Sequence, residues 1–266
     1  MDQYMPPART LLYGGPGAGK TSLAVSSFWD WKKQTQVADG RIITFGEEDN
    51  PALHIPEEAR HLGNTLDLRL TSPLLDDVAF LEQFNIVSRK LIYDAQNGKR
   101  LDVLVLDGFS EFDLLFEATY VGAGDNRFAK WEDLMTQLYS MLIRLSPRVL
   151  GCAVIATARV MERKKAQPQR VADPNWLDYD YYPSLRGSFR HAFPHYFNNV
   201  FYIDTGQAQA GGRIVPAHNV HMIRTGDFCV KNLWEHEWLR AGEPDYLTNV
   251  SWPELWQRLT ANTKGG

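Results

Sequence analysis

A glycine-rich run near the start of the chain restricts the fold more than any other feature of the sequence. Residues 14–21 read GGPGAGKT and match the pattern G-x-x-x-x-G-K-[ST], directly after the apolar run Thr10–Tyr13. The pattern requires a strand before it and a helix after it, because loop N–H groups and the helix N-terminus must converge on phosphate oxygens. The sequence therefore predicts an α/β fold with a nucleotide site at this loop.

The same pattern assigns roles to individual residues. Lys20 is expected to reach the β- and γ-phosphates, and Thr21 is expected to hold Mg²⁺. The residues predicted to contact the nucleotide are Gly14, Gly15, Pro16, Gly17, Ala18, Gly19, Lys20, Thr21 and Ser22. The alternative is a glycine-rich turn that carries an exposed lysine.

Apolar runs spaced along the chain predict a parallel sheet. Strands are expected at residues 41–45, 101–106, 150–156, 200–203 and 220–223, with helices at 19–33, 74–91 and 128–145. Strands that alternate with helix-length segments are typical of a parallel sheet covered on both faces. We predict one α/β core over residues 1–230 and an appendage packed on it over residues 231–266, although a separate small domain there is the alternative.

Composition excludes several classes of protein. With 266 residues, 44% of them hydrophobic and 23% charged, the chain matches globular rather than disordered usage. Its net charge of −4 excludes a uniformly basic nucleic-acid coat but leaves room for a local basic loop. Two cysteines, no membrane-length apolar run and no signal-like start indicate a cytoplasmic protein without a membrane partner.

Polar residues follow the predicted strands, where ligands bind in sheets of this kind. Asp107 closes the strand at 101–106 and is expected to meet Mg²⁺ through a water, or to cap the next helix. Glu47 and Glu48 follow the strand at 41–45, and one of them is expected to orient the attacking water, with Glu111 as a competing candidate. Thr157 either senses the γ-phosphate or is an ordinary strand-end threonine.

A basic and aromatic segment follows the strand at 150–156. The residues expected to contact nucleic acid there are Arg159, Arg163, Lys164, Lys165, Arg170 and Tyr181, within a predicted loop at 158–185. Cations that track phosphates, with rings on which bases stack, suit single-stranded DNA. An earlier loop at 118–130, with Arg127 and Lys130, extends this surface. The alternative is a solvated loop, since three nearby aspartates weaken its positive charge.

The order of these parts resembles the RecA-type recombinase core. Residues 42–48 are similar to that family's strand carrying its catalytic glutamate, with Glu48 in the matching place, and residues 104–107 resemble its Mg²⁺-site strand. Residues 118–125 and 154–158 resemble its first DNA-binding loop and its sensor strand, although Thr157 replaces the usual amide. Residues 182–190, 194–197 and 223–225 most resemble the small phage RecA-like ATPases that anneal single strands.

This resemblance implies a Mg²⁺- and ATP-dependent protein that binds single-stranded DNA and promotes annealing or recombination. It implies catalytic roles for Lys20, Glu48 and Thr157, and a homo-oligomer or filament in which Arg224 completes a neighbour's site. Arg186 and Arg190 are competing candidates for that role. A single-strand binding protein is an expected partner, in the host cytoplasm if a phage encodes the chain. A slow ATPase switch acting on a protein partner and a DNA motor are the alternatives.

Overall fold

An eight-stranded mixed sheet organises the described part of the chain. The computed structural model describes residues 8–45, 55, 77–99, 101–112, 127–162, 181–185, 193–224 and 228–261, with the backbone alone in parts of two helices. The strands of this sheet are β1 (Arg9–Gly14), β4 (Gly40–Thr44), β5 (Val103–Asp107), β6 (Ala153–Glu162), β7 (Tyr181–Pro183), β8 (Asn199–Ala210), β9 (Arg213–His221) and β10 (Tyr246–Thr248). A separate small sheet pairs β2 (Trp29–Asp30) with β3 (Thr35–Gln36).

Helices fill most of the connections between these strands. They are α1 (Lys20–Val25), α2 (Asp77–Gln96), α3 (Arg127–Arg144), α4 (Pro147–Leu150), α5 (Glu235–Arg240) and α6 (Trp252–Ala261), with a 3-10 helix at Phe193–Tyr196. None of the helices in the described ranges has the length and apolar composition needed to cross a bilayer.

The strand order is β10-β9-β8-β1-β6-β5-β4, and β7 pairs with β6 outside this path. Strands β8, β1, β6, β5 and β4 run parallel, whereas β7, β9 and β10 are antiparallel to their neighbours. The predicted α/β class with a mostly parallel sheet is confirmed. All five parallel strands end at the same edge, and the glycine-rich loop leaves β1 at that edge.

The central strands form the core. Every residue of β1 and β5 is buried, and so are the first six residues of β6. Parallel strands covered on both faces need such continuous apolar sequences. For this reason the apolar pattern of the sequence predicts these three segments as strands. Residues from the C-terminal part, among them Trp238, Trp252 and Trp256, belong to the same core cluster, and β10 extends the sheet beside β9.

The helix after the glycine-rich loop is shorter than predicted. It ends at Val25 rather than near residue 33. The hydroxyls of Ser26 and Ser27 donate to the carbonyl oxygens of Leu23 and Ala24, both at 2.6 Å, and compete with helix continuation. Phe28, which is fully buried, follows these serines and directly precedes β2.

The two late strands are longer than the predicted segments 200–203 and 220–223. Strands β8 and β9 pair without interruption from Tyr202 opposite His221 to Ala210 opposite Arg213. Gly211 and Gly212 form the connection, with φ angles of 57° and 78°. A two-residue turn with positive φ at both positions is the usual hairpin connection, so the Gly-Gly pair was the overlooked signal.

The buried cysteines predict how stability changes at alkaline pH. Burial raises the pKa of the Cys152 thiol to about 12 and that of Cys229 to about 11, from an ordinary value of 9.0. Above pH 9 the unfolded chain loses these protons before the folded chain does, so stability falls as the pH rises. Each thiol should cost about 1.4 kcal/mol between pH 8 and 10.

Urea unfolding under reducing conditions at the two pH values measures this loss. The double variant Cys152→Ala/Cys229→Ala is the control, because it retains all other titrating groups. Its stability should fall by less than that of the parent chain over the same interval. Equal falls in the two proteins would contradict the assignment of the effect to the thiols.

Candidate functional site

The glycine-rich loop begins where β1 can no longer accommodate a side chain. A Cβ atom on Gly14 would lie 2.0 Å from the carbonyl oxygen of Ile203, because β8 runs directly beside it. Gly17 and Gly19 then adopt left-handed conformations, with φ angles of 69° and 86°. Glycine meets both requirements without strain, so the spacing of glycines in the motif follows from the backbone path.

Lys20 places its ammonium group over the loop. Its Nζ donates to the carbonyl oxygens of Gly14 at 3.1 Å and Gly15 at 2.7 Å. The space beside Gly15 and Gly17 is open, since no heavy atom lies within 4 Å of a Cβ built on either residue. The loop therefore presents a cation and an open backbone at the carboxyl edge of the sheet, as phosphate binding requires.

A hydroxyl and a carboxylate from distant parts of the sequence meet below the loop. Thr21, at the start of α1, donates from Oγ1 to Oδ1 of Asp107 at 2.8 Å. Asp107 is the last residue of β5 and is only 4% exposed. Two oxygen ligands of this kind are what Mg²⁺ prefers in proteins, so this donor pair fits the expected metal.

Thr157 contacts the same carboxylate oxygen. It donates from Oγ1 to Oδ1 of Asp107 at 2.6 Å and accepts the N–H of Gly108 at 2.9 Å. A hydroxyl has one proton to donate, and in Thr157 that proton points to Asp107. The structure therefore places Thr157 as a residue that positions the carboxylate.

An ion pair lies beside this carboxylate. Arg159 Nε is 2.5 Å from Oε1 of Glu111, which is four residues past Asp107. The N–H of Arg159 donates to the hydroxyl of Ser110 at 2.9 Å. Arg159 is thus held at the sheet edge by the segment that follows β5, although the sequence pattern assigned it to a nucleic-acid loop.

No family model matches this chain, and no curated protein is significantly similar to it.

The remaining predicted residues lie elsewhere in the structure. Tyr181 begins β7, and its half-buried ring is 5.8 Å from Tyr202 and 5.5 Å from Phe228, measured between ring centroids. Arg224 is exposed and follows the end of β9, a strand that runs toward the amino edge of the sheet. The backbone N–H of Arg224 donates to the Glu235 carboxylate at 3.1 Å. The structure does not bring either residue to the Thr21–Asp107 pair.

Several predicted residues lie outside the described residues. These are Glu47, Glu48, Arg163, Lys164, Lys165, Arg170, Arg186 and Arg190. Arg127 and Lys130 lie in the first turn of α3, which is described there by its backbone alone. Their predicted roles stay predictions.

His218 is a neighbour of the loop that the sequence did not indicate. Its ring atoms Cγ and Nδ1 lie 3.1 Å from a Cβ built on Gly19. Asn249 holds this part of β9, because its side chain accepts the N–H of His218 and its own N–H donates to the His218 carbonyl, both at 2.8 Å. The approach depends on the length of the β8–β9 hairpin, which the sequence prediction underestimated.

The bonds of Thr157 predict a selective effect on stability. Thr157→Val removes the acceptor for the Gly108 N–H and a donor to Asp107, and should cost about 1–3 kcal/mol of unfolding free energy. Thr157→Ser keeps the hydroxyl and should cost less. Urea unfolding of the two variants tests this, and a valine variant as stable as the serine variant would contradict it.

Proposed function

We propose that this chain is a Mg²⁺-dependent ATPase of the RecA-like type that binds single-stranded DNA and promotes annealing or recombination. One observation carries the nucleotide part of the proposal. The hydroxyl of Thr21 and the carboxylate of Asp107 meet at 2.8 Å, beneath a loop that carries Lys20 and an open glycine backbone. A hydroxyl, a carboxylate and a lysine in this arrangement suit a nucleoside triphosphate with its metal.

Each described residue has a defined task in this mechanism. Lys20 and the loop N–H groups bind the phosphates and balance their negative charge. Thr21 and Asp107 would hold Mg²⁺, which would supply positive charge to neutralise the phosphates. Thr157 keeps the Asp107 carboxylate in one orientation through a bond of 2.6 Å. We assign the orientation of the attacking water to Glu48, because Glu111 already faces Arg159.

The position of the basic segment supports the DNA part of the proposal. Strands β6 and β7 pair from Val160 opposite Pro183 to Glu162 opposite Tyr181. Arg163, Lys164 and Lys165 follow β6 directly in the sequence and lie outside the described residues. The same strand carries Thr157, so in the sequence the proposed DNA-binding residues come directly after a strand of the proposed nucleotide site.

Oligomerisation belongs to the proposal as well. Arg224 is exposed beyond the end of β9, which is compatible with a role in a neighbour's site within a homo-oligomer or filament. The RecA-like proposal alone also implies a single-strand binding protein as a partner. It implies a cytoplasmic location as well, in the host if a phage encodes the chain.

Phosphate release from ATP tests both parts of the proposal. With Mg²⁺ present, single-stranded DNA should stimulate hydrolysis by the parent chain. Lys20→Ala should lower turnover by about 100-fold or more, because it removes a cation from the phosphates. The control is Lys90→Ala, since Lys90 lies on α2, is 52% exposed and pairs with Asp94; it should behave like the parent.

The outcomes separate the two parts. Hydrolysis that needs Lys20 but ignores DNA would retain the ATPase and refute the DNA part, and a nucleotide switch acting on a protein partner would then be the better assignment. Absence of any Lys20-dependent hydrolysis, with and without DNA, would refute the ATPase itself.

A further inference from the structure

Strand register places Arg159 at the level of the glycine-rich loop. Strand β6 runs parallel to β1, with Thr157 opposite Leu12 and Arg159 opposite Gly14. Gly14 is the residue at which the chain turns from β1 into the loop. Arg159 is therefore a neighbour of the loop's first residue, and not part of a distant surface.

Strand alternation places the Arg159 side chain on the face of the sheet where the site lies. Side chains two residues apart in a strand share a face and are separated by about 7 Å. Thr157 is two residues before Arg159, and its hydroxyl reaches Asp107 at 2.6 Å. Arg159 accordingly lies one step beyond the Thr157–Asp107 contact, toward the carboxyl edge of the sheet.

Two contacts orient Arg159 there. Its side-chain Nε is 2.5 Å from Oε1 of Glu111, and its backbone N–H donates to the hydroxyl of Ser110 at 2.9 Å. The Glu111 side chain is 18% exposed and that of Arg159 is 44% exposed, so the pair reaches from the protein interior to solvent. A guanidinium carries five N–H donors in a fixed fork and can bind a carboxylate and a phosphate at once.

We propose that Arg159 binds the terminal phosphate of the nucleotide held by its own chain, and that Glu111 is the positioning residue for its guanidinium. This inference rests on the proposed ATPase function. Lys20 binds the phosphates from the loop, Thr21 and Asp107 would hold their Mg²⁺, and Arg159 adds a cation from β6 at the outer end of the same site. It reassigns Arg159 from the DNA-binding set and Glu111 from the water-orienting candidates.

A phosphate contact predicts discrimination between nucleotides. If Arg159 binds the terminal phosphate, it contributes to the affinity for ATP but not to that for ADP. Loss of charge-assisted hydrogen bonds to one phosphate should weaken binding by about 10- to 100-fold. The experiment is a titration of a fluorescent non-hydrolysable ATP analogue and of fluorescent ADP, with Mg²⁺ and without DNA.

The variants are chosen to separate binding from folding. Arg159→Ala should lose about 10- to 100-fold in affinity for the ATP analogue and retain the parent affinity for ADP. Arg159→Lys keeps the charge but not the fork, and should recover part of the loss. Glu111→Gln should show a smaller loss, again for the ATP analogue alone. Arg240→Ala, which removes an exposed arginine on α5, is the matched control and should bind both nucleotides like the parent.

The outcomes distinguish this inference from the function on which it rests. Equal losses for both nucleotides in Arg159→Ala, or unchanged affinity for both, would overturn the inference and leave the ATPase proposal intact. Unchanged nucleotide affinity together with weaker oligonucleotide binding would return Arg159 to the DNA-binding set. A parent chain that binds neither nucleotide would overturn both proposals.

Discussion

The burial of β1 between two parallel neighbours is the constraint on which the rest of the site depends. All six residues of the strand are buried, and β6 and β8 pair with it on either side. The last residue of the strand, Gly14, has to be a glycine, because a side chain there would collide with Ile203. Because β1 ends there, the loop, Lys20 and Thr21 all emerge at the edge where β5 presents Asp107. The location of the site is thus a consequence of core packing.

The carboxylate of Asp107 connects the packing of the core to the polar contacts of the site. A buried carboxylate is costly unless hydrogen bonds and charges compensate it. In this structure Thr21 from α1 and Thr157 from β6 both donate to the same oxygen. Three elements are therefore tied together at one atom, and the cost of burying the charge is offset by contacts that also orient it.

Local sequence patterns predicted the parts of the structure that depend on local physics. The glycine spacing of the loop, the buried strand that ends at Asp107 and the parallel sheet all follow from short patterns. The early end of α1 at Val25 was missed because serine hydroxyls, which the apolar pattern ignores, take over helix carbonyls. The approach of His218 to Gly19 was missed for another reason. It depends on the length of the β8–β9 hairpin, whose Gly-Gly signal was overlooked, and on the parallel pairing of β8 with β1, which no local pattern encodes.

The position of Arg159 shows that neighbours in a basic run of the sequence need not share one structural environment. In the sequence it stands four residues before Arg163 and reads as the first member of one cationic segment. In the structure β6 continues to Glu162, so Arg159 takes its direction from the strand and not from the segment. Strand alternation places the Arg159 side chain on the same face of the sheet as Thr157, and the ion pair with Glu111 holds the guanidinium there. Glu162 lies five residues beyond Thr157 on this extended strand, a distance of about 17 Å. Because β6 carries Thr157 and also precedes the basic segment in the sequence, a change in affinity for DNA alone cannot assign Arg159 to either proposed site.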